Sequence, residues 1–97
     1  MSELHVVATL PAKPESADAM REALTTLVAA TRQEQGCLSY DLFESASAPG
    51  VFVTVERWRG QDDLDAHLGT AHIAEAMRAT TDHLGGDIAI HPLRPVS

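Results

Sequence analysis

All six glycines of this 97-residue chain, at positions 36, 50, 60, 69, 85 and 86, fall where the hydrophobic periodicity breaks. That punctuation leaves few folds open. The prolines at 11, 14, 49, 92 and 95 fall at the same breaks. Between the breaks, Leu4 to Leu10 is apolar and β-branched and reads as a strand. Pro14-Glu15-Ser16 opens a helix, since proline suits a first turn and an acid suits its positive end. Met20, Leu24, Leu27 and Val28 then form one apolar stripe at helical spacing. Cys37 to Glu44 and Val51 to Trp58 read as strands joined by a hairpin-like turn over Ser45 to Gly50. Asp62 and Asp63 begin a short helix through Leu68 that is expected to bury Leu64 and Leu68, with Gly69 expected as a left-handed cap. Thr70 caps a further helix whose inner face is expected from Ile73, Met77 and Leu84. Gly85-Gly86 stops it, and Asp87 to Leu93 returns as a last strand.

The order β-α-β-β-α-β, with its second helix broken in two, predicts an α+β, ferredoxin-like antiparallel sheet with helices on one face. A chain of this length has material for one core, so residues 1–97 are read as a single domain. A sheet covered on one face should alternate apolar and polar side chains. Here Val6-Val7-Ala8 and Val51-Phe52-Val53, with Val55 following, are apolar on both faces. The helices can cover only one of them. A second subunit laid sheet against sheet covers the other, so a homodimer is expected.

The formal charge of −7 argues against a nucleic-acid partner, whose phosphates it would repel. No apolar run approaches the roughly 20 residues that span a bilayer, and Met1 to His5 lacks the basic start of a secretion signal. A single cysteine, Cys37, cannot form an internal disulfide and fits a reducing compartment. A cytoplasmic protein without membrane or nucleic-acid partners is the expectation.

Strand parity places Phe52, Thr54, Glu56 and Trp58 on one face of the third strand, and Val51, Val53, Val55 and Arg57 on the other. On the second strand, parity groups Leu38, Tyr40, Leu42 and Glu44 against Cys37, Ser39, Asp41 and Phe43. The mixed face, with Tyr40, Glu56, Trp58 and the helix-borne His67 and His72, has the makings of a small-molecule pocket: aromatic walls and a few titratable groups. His67 is the candidate general base, because imidazole titrates near neutrality; its plainer role is to cap a helix end. His72, in a first helical turn, suits hydrogen bonding. Glu56 could equally pair with Arg57 or Arg59, Trp58 and Tyr40 could be plain core, and Cys37 has no basic neighbour to activate it. His67 and His72 match no usual two-ligand spacing within one helix, so no metal set is read here. Dinucleotide, P-loop and nucleophile-elbow motifs are missing.

Gly-Cys-Leu-Ser-Tyr-Asp-Leu at 36–42, Glu-Arg-Trp at 56–58 and Leu-Asp-Ala-His-Leu-Gly-Thr-Ala-His at 64–72 together resemble the antibiotic biosynthesis monooxygenase family. The likeness in element order runs from about residue 3 to 94. It implies a dimeric α+β barrel of two facing sheets, in a family that includes quinol and anthrone monooxygenases using molecular oxygen without flavin or metal, haem-degrading enzymes and an isomerase of a phosphorylated sugar. Haem-degrading relatives carry their axial histidine where this chain has Met77, so haem ligation is not implied. The anthrone oxygenases use an Asn and a Trp four residues apart; Trp58 fits, but Thr54 stands at the Asn position. The quinol monooxygenases, with Glu-x-Trp, Ala-His-Leu and a second His, are the members the pattern most resembles. The resemblance thus implies no cofactor and a small electron-rich aromatic substrate. His67 and Glu56 would be catalytic, and Tyr40, Thr54, Trp58, His72 and Met77 would bind substrate. A non-catalytic ligand-binding or stress-response dimer, and a cofactor-free isomerase, fit the same fold.

Overall fold

A computed structural model describes residues 3–97; Met1 and Ser2, on which the reading of the N-terminus partly rests, lie outside the described residues. Strand β1 covers Leu4–Pro11, helix α1 Ala17–Thr31, β2 Cys37–Glu44, β3 Val51–Trp58, α2 Gln61–Leu68, α3 Ala71–Thr80 and β4 Ala89–Pro92. The strands form one antiparallel sheet in the order β2-β3-β1-β4, the ferredoxin-like arrangement expected from the element order. No helix among the described residues is long and apolar enough to cross a membrane.

Parity holds along β1 and β3. Val6, Ala8 and Leu10 on β1, and Phe52, Thr54, Glu56 and Trp58 on β3, are buried beneath the helices. Val7, Val51 and Val53 on the far face are half-buried, and Val55 is exposed. On β2 the alternation breaks. Cys37 pairs with Trp58 and Ser39 with Arg57, so Leu38 is the extra residue of a bulge. The bulge moves Cys37 onto the helix side, where it packs against Trp58's cluster, and leaves Leu38 exposed. Simple parity had put those two the other way round.

Three helical expectations shift. Gly69 has φ −98°, so it ends α2 without entering the left-handed region. The chain turns at once into α3, and no left-handed cap is required. On α2 the inward residues are Leu64 and His67, while Leu68 is 42% exposed. On α3, Ile73 and Met77 pack against the core as expected, with Ala76 and Thr80 the fully buried positions, while Leu84, which packs there too, lies beyond the helix, after a 3-10 turn over Thr81–His83. Thr70 caps α3 as expected, its hydroxyl accepting from the Ile73 amide.

The turn between α1 and β2 sets the site. Gly36 stands so close to α2 that a Cβ there would come within 2.1 Å of the Asp63 side chain. Only glycine admits this approach. The Gly36 carbonyl also accepts from the Arg59 amide at 2.9 Å, which pins the turn beside the start of α2. Arg32, at the end of α1, donates from Nε to the Tyr40 carbonyl and pairs with Asp41. Helix, turn and strand are thereby locked together around residue 34.

Candidate functional site

Beneath α2 and α3, on the helix side of the sheet, lies a cavity of about 50 Å³. Tyr40, Thr54, Glu56, His67 and Met77 line it, and Leu68 and Ile90 stand at its exposed edge. Trp58 does not reach the cavity wall. Its ring centroid lies 4.7 Å from that of His67 and 6.3 Å, edge-on, from that of Tyr40, so it backs both residues from behind.

Glu56 is 4% exposed and has neither Arg57 nor Arg59 as partner; those pair with Glu3 and Asp63. Its two oxygens accept from neighbours on its own strand face: the Thr54 hydroxyl at 2.6 Å and Trp58 Nε1 at 2.9 Å. Side chains at i−2 and i+2 on a strand share a face, and that spacing alone assembles the trio. A buried carboxylate is tolerated when both oxygens have donors.

His67 is buried, with its Nδ1 at 2.6 Å from Glu34 Oε2. A carboxylate oxygen offers only lone pairs, so Nδ1 carries the hydrogen and donates. In the neutral ring the lone pair then sits on Nε2, the nitrogen left for a ligand in the cavity. His72 Nε2 donates to the same Glu34 oxygen, also at 2.6 Å. Its ring lies outside the cavity, facing a groove of about 390 Å³ between α1 and α3. The short link between α2 and α3 makes this geometry possible. Thr70 donates from its hydroxyl to the His67 carbonyl at 2.7 Å while capping α3. The two histidines, five apart in sequence on different helices, therefore converge on one carboxylate.

Glu34 escaped the reading of the sequence. It sits in a Gln-Glu-Gln-Gly turn with no periodicity to mark it. The only signal was Gly36, whose close approach to α2 carries the turn into the site. Tyr40 is buried, and burial, with the nearby Glu56 charge adding to it, holds its hydroxyl well above its ordinary pKa of 10.0. Burial likewise pushes the Cys37 thiol up, with the charges of Glu34 and Glu56 acting in the same direction. That leaves the thiol a poor nucleophile.

Residues 4–79 match the family Antibiotic biosynthesis monooxygenase. Rv0793 of Mycobacterium tuberculosis, provisionally named a monooxygenase, is 35% identical over 95 residues, 98% of this chain and 93% of that protein. The solved structure of Rv0793 superposes with a TM-score of 0.88, covering 99% of this chain and 97% of that one at 34% identity. PA3566 of Pseudomonas aeruginosa superposes at 0.90, with 32% identity over 100% of this chain and 97% of that one. A protein of Nitrosomonas europaea at 21% identity, with a TM-score of 0.91 over 97% of this chain and 90% of its own, shares the fold. Sequence and fold agree over nearly the whole length, and the chain belongs to the antibiotic biosynthesis monooxygenase family.

Proposed function

We propose that the protein is a cofactor-independent monooxygenase acting on a small, electron-rich aromatic of the quinol or anthrone type. The observation that carries this reading is the orientation of His67. Its Nδ1 is anchored by Glu34, and its Nε2 is left to a cavity walled by Tyr40 and backed by Trp58. A phenol or activated methylene held there loses its proton to Nε2. The resulting anion passes one electron to oxygen, and the radical pair recombines at carbon. Collapse of the peroxide leaves one oxygen atom in the product and releases the other as water. The substrate supplies all the electrons, so no external reductant is required.

The neighbours divide the remaining work. Glu34, accepting from Nδ1, stabilises the imidazolium that forms. The Tyr40 hydroxyl, kept protonated by burial, is available to donate to the substrate oxyanion. Glu56 holds Trp58 and Thr54 in place, and Met77 closes the apolar side. The cavity as it stands accommodates dioxygen or a water or two; ring-sized ligands need about 300 Å³ or more. An aromatic substrate therefore enters by displacing flexible side chains, for which Met77, Leu68 and Ile90 are placed.

Oxygen uptake with a panel of hydroquinones and anthrones, with no cofactor added, tests the reaction. His67→Ala is expected to lower uptake on a good substrate by roughly 10²-fold, the usual scale for a lost general base. Full turnover by that variant defeats the assignment of the base. A folded wild-type protein that consumes no oxygen with any of the panel defeats the reaction and leaves a ligand-binding protein or an isomerase.

The working unit in this reading is a cytoplasmic homodimer. Phe43 and Val53 face each other across β2 and β3 on the outer side of the sheet, and Val55 and Val7 do so across β3 and β1. Phe43 is 54% and Val55 43% exposed, an apolar face of the kind that second subunits cover. Val55→Asp leaves an isolated chain intact, since the position faces water there, but places a charge in the proposed interface. Sedimentation should show dimer for the wild type and monomer for the variant. A wild type that sediments as a 10.4 kDa species refutes the dimer.

A further inference from the structure

The Glu34 carboxylate comes from the turn after α1, His67 Nδ1 from the end of α2 and His72 Nε2 from the start of α3. One donor atom from each lies within 4.8 Å of the other two. We propose that these three side chains form a binding site for a divalent transition-metal ion of the zinc class, and that filling it removes His67 as a base.

Two imidazole nitrogens and one carboxylate oxygen are a ligand set for a transition metal. Magnesium and calcium prefer all-oxygen surroundings. Three protein ligands with the fourth position open is the composition of an accessible zinc site. The geometry is close to what an ion requires. In a tetrahedral site two nitrogens at ~2.0–2.1 Å from one metal stand roughly 3.3–3.4 Å apart, so rings whose ligand atoms now lie within 4.8 Å of each other need to close by up to roughly 1.5 Å. The mobility for this lies on one side. His67 is held at 3% side-chain exposure, whereas the His72 side chain is 27% exposed and can swing inward. Glu34, at 14%, is reachable from solvent. The chain's charge of −7 favours a cation at any such cluster.

Today's hydrogen-bond pattern and the metal-bound one differ by the position of two protons. Both histidines now donate to Glu34. A metal takes the lone pair of His67 Nδ1 and His72 Nε2, so each neutral ring keeps its hydrogen on the opposite nitrogen. For His67 that is Nε2. The nitrogen facing the cavity changes from acceptor to donor, and proton abstraction and metal binding exclude one another. This second half rests on the reading of His67 as the base; the binding itself does not.

Calorimetric titration of the chelator-treated full chain with zinc chloride tests the site, with magnesium chloride as the control. One equivalent of zinc is expected to bind at micromolar affinity, and magnesium to give no comparable heat. Glu34→Gln and His72→Ala should each weaken zinc binding tenfold or more while retaining the wild-type circular dichroism. His91→Ala, on exposed β4, should leave it unchanged. The absence of stoichiometric binding overturns the proposal, as does equal affinity in the Glu34→Gln and His72→Ala variants, which would mark adventitious histidine binding. On a quinol that turns over, one equivalent of zinc should abolish oxygen uptake by the wild type, and whatever turnover His72→Ala retains should resist it. Zinc that binds at the triad without slowing turnover overturns the exclusion. Zinc binding with no turnover on any substrate supports the site and defeats the proposed reaction.

Discussion

The helix side of the sheet holds two clusters that share strands but not chemistry. One, built from Ala8, Leu10, Met20, Leu24, Leu27, Phe52 and Ala76, is apolar throughout. The other gathers Val6, Val28, Tyr40, Trp58 and Leu64, and buries Thr54, Glu56 and His67 beside them. Strand β3 crosses from one to the other within a single face: Phe52 belongs to the first, Trp58 to the second, with Thr54 and Glu56 between. The first cluster needs only volume and apolarity. The second needs specific partners, because each buried polar atom must find a donor or acceptor. Its Glu56 and His67 have them in Thr54, Trp58 and Glu34. Apolar packing is concentrated at one end of the core and buried polar pairing at the other.

The largest expected effect falls on the apolar end. Leu24 is 1% exposed in the middle of its cluster, and Leu24→Ala there should cost about 3 kcal/mol of unfolding free energy through lost transfer energy and a residual cavity. Zinc affinity at Glu34, His67 and His72 should stay as it was, since none of them belongs to that cluster. Urea unfolding followed by calorimetry on the same sample checks both halves. A loss of zinc binding at temperatures where the variant is folded would show that the two ends are one mechanical unit.

A smaller loss should follow at the polar end. Trp58→Phe keeps most of the aromatic volume but removes the N–H that meets Glu56 Oε1. A buried acceptor left without its partner costs about 1–3 kcal/mol. Trp58→Phe should therefore lie below Leu24→Ala in the same urea series, and Glu56→Gln combined with it should recover part of the loss by removing the charge. If Trp58→Phe costs more than Leu24→Ala, the polar network holds the fold as well as the site.

The two ends were also unequally legible in the sequence. Along β1 and β3, alternation alone assigns every inward residue, because a regular strand has a fixed period and both neighbours preserve it. The trio Thr54, Glu56 and Trp58 was therefore readable before any coordinates. His67 was readable as a candidate residue at the edge of the apolar stripe of α2 but not at its centre: Leu64 and Leu68 looked like the apolar pair, whereas His67 faces inward in place of Leu68 and meets a carboxylate from another segment. Glu34 was not readable, since a polar residue in a turn has no periodicity and its burial depends on Gly36 letting α2 come close. The bulge at Leu38 was hidden for a related reason. A one-residue insertion in the pairing leaves no mark in composition, yet it moves Cys37 across the sheet. What the sequence withheld is what depends on contacts between segments.

Tyr40, buried in the polar cluster, should give the smallest effect. Burial holds its hydroxyl proton, and the Glu56 charge disfavours a second anion nearby, so its folded pKa lies above the ordinary 10.0. Below that ordinary value both folded and unfolded chains keep the proton, and the favourable contribution is fully present. As the pH rises past it, the unfolded chain releases the proton while the folded chain retains it, so stability falls with rising pH until the folded value is reached. Half a pH unit above the ordinary value, the loss is about 0.8 kcal/mol. Tyr40→Phe should remove this part of the alkaline slope. The single lysine, Lys13, is present in both proteins, so the difference between them isolates the tyrosine. Because the chain has one tyrosine, tyrosinate absorbance reports Tyr40 alone. It should appear only as circular dichroism reports unfolding. Tyrosinate forming near pH 10 in a chain that remains folded would mean that water reaches the Tyr40 hydroxyl freely, and the polar cluster would then lack the dryness its chemistry requires.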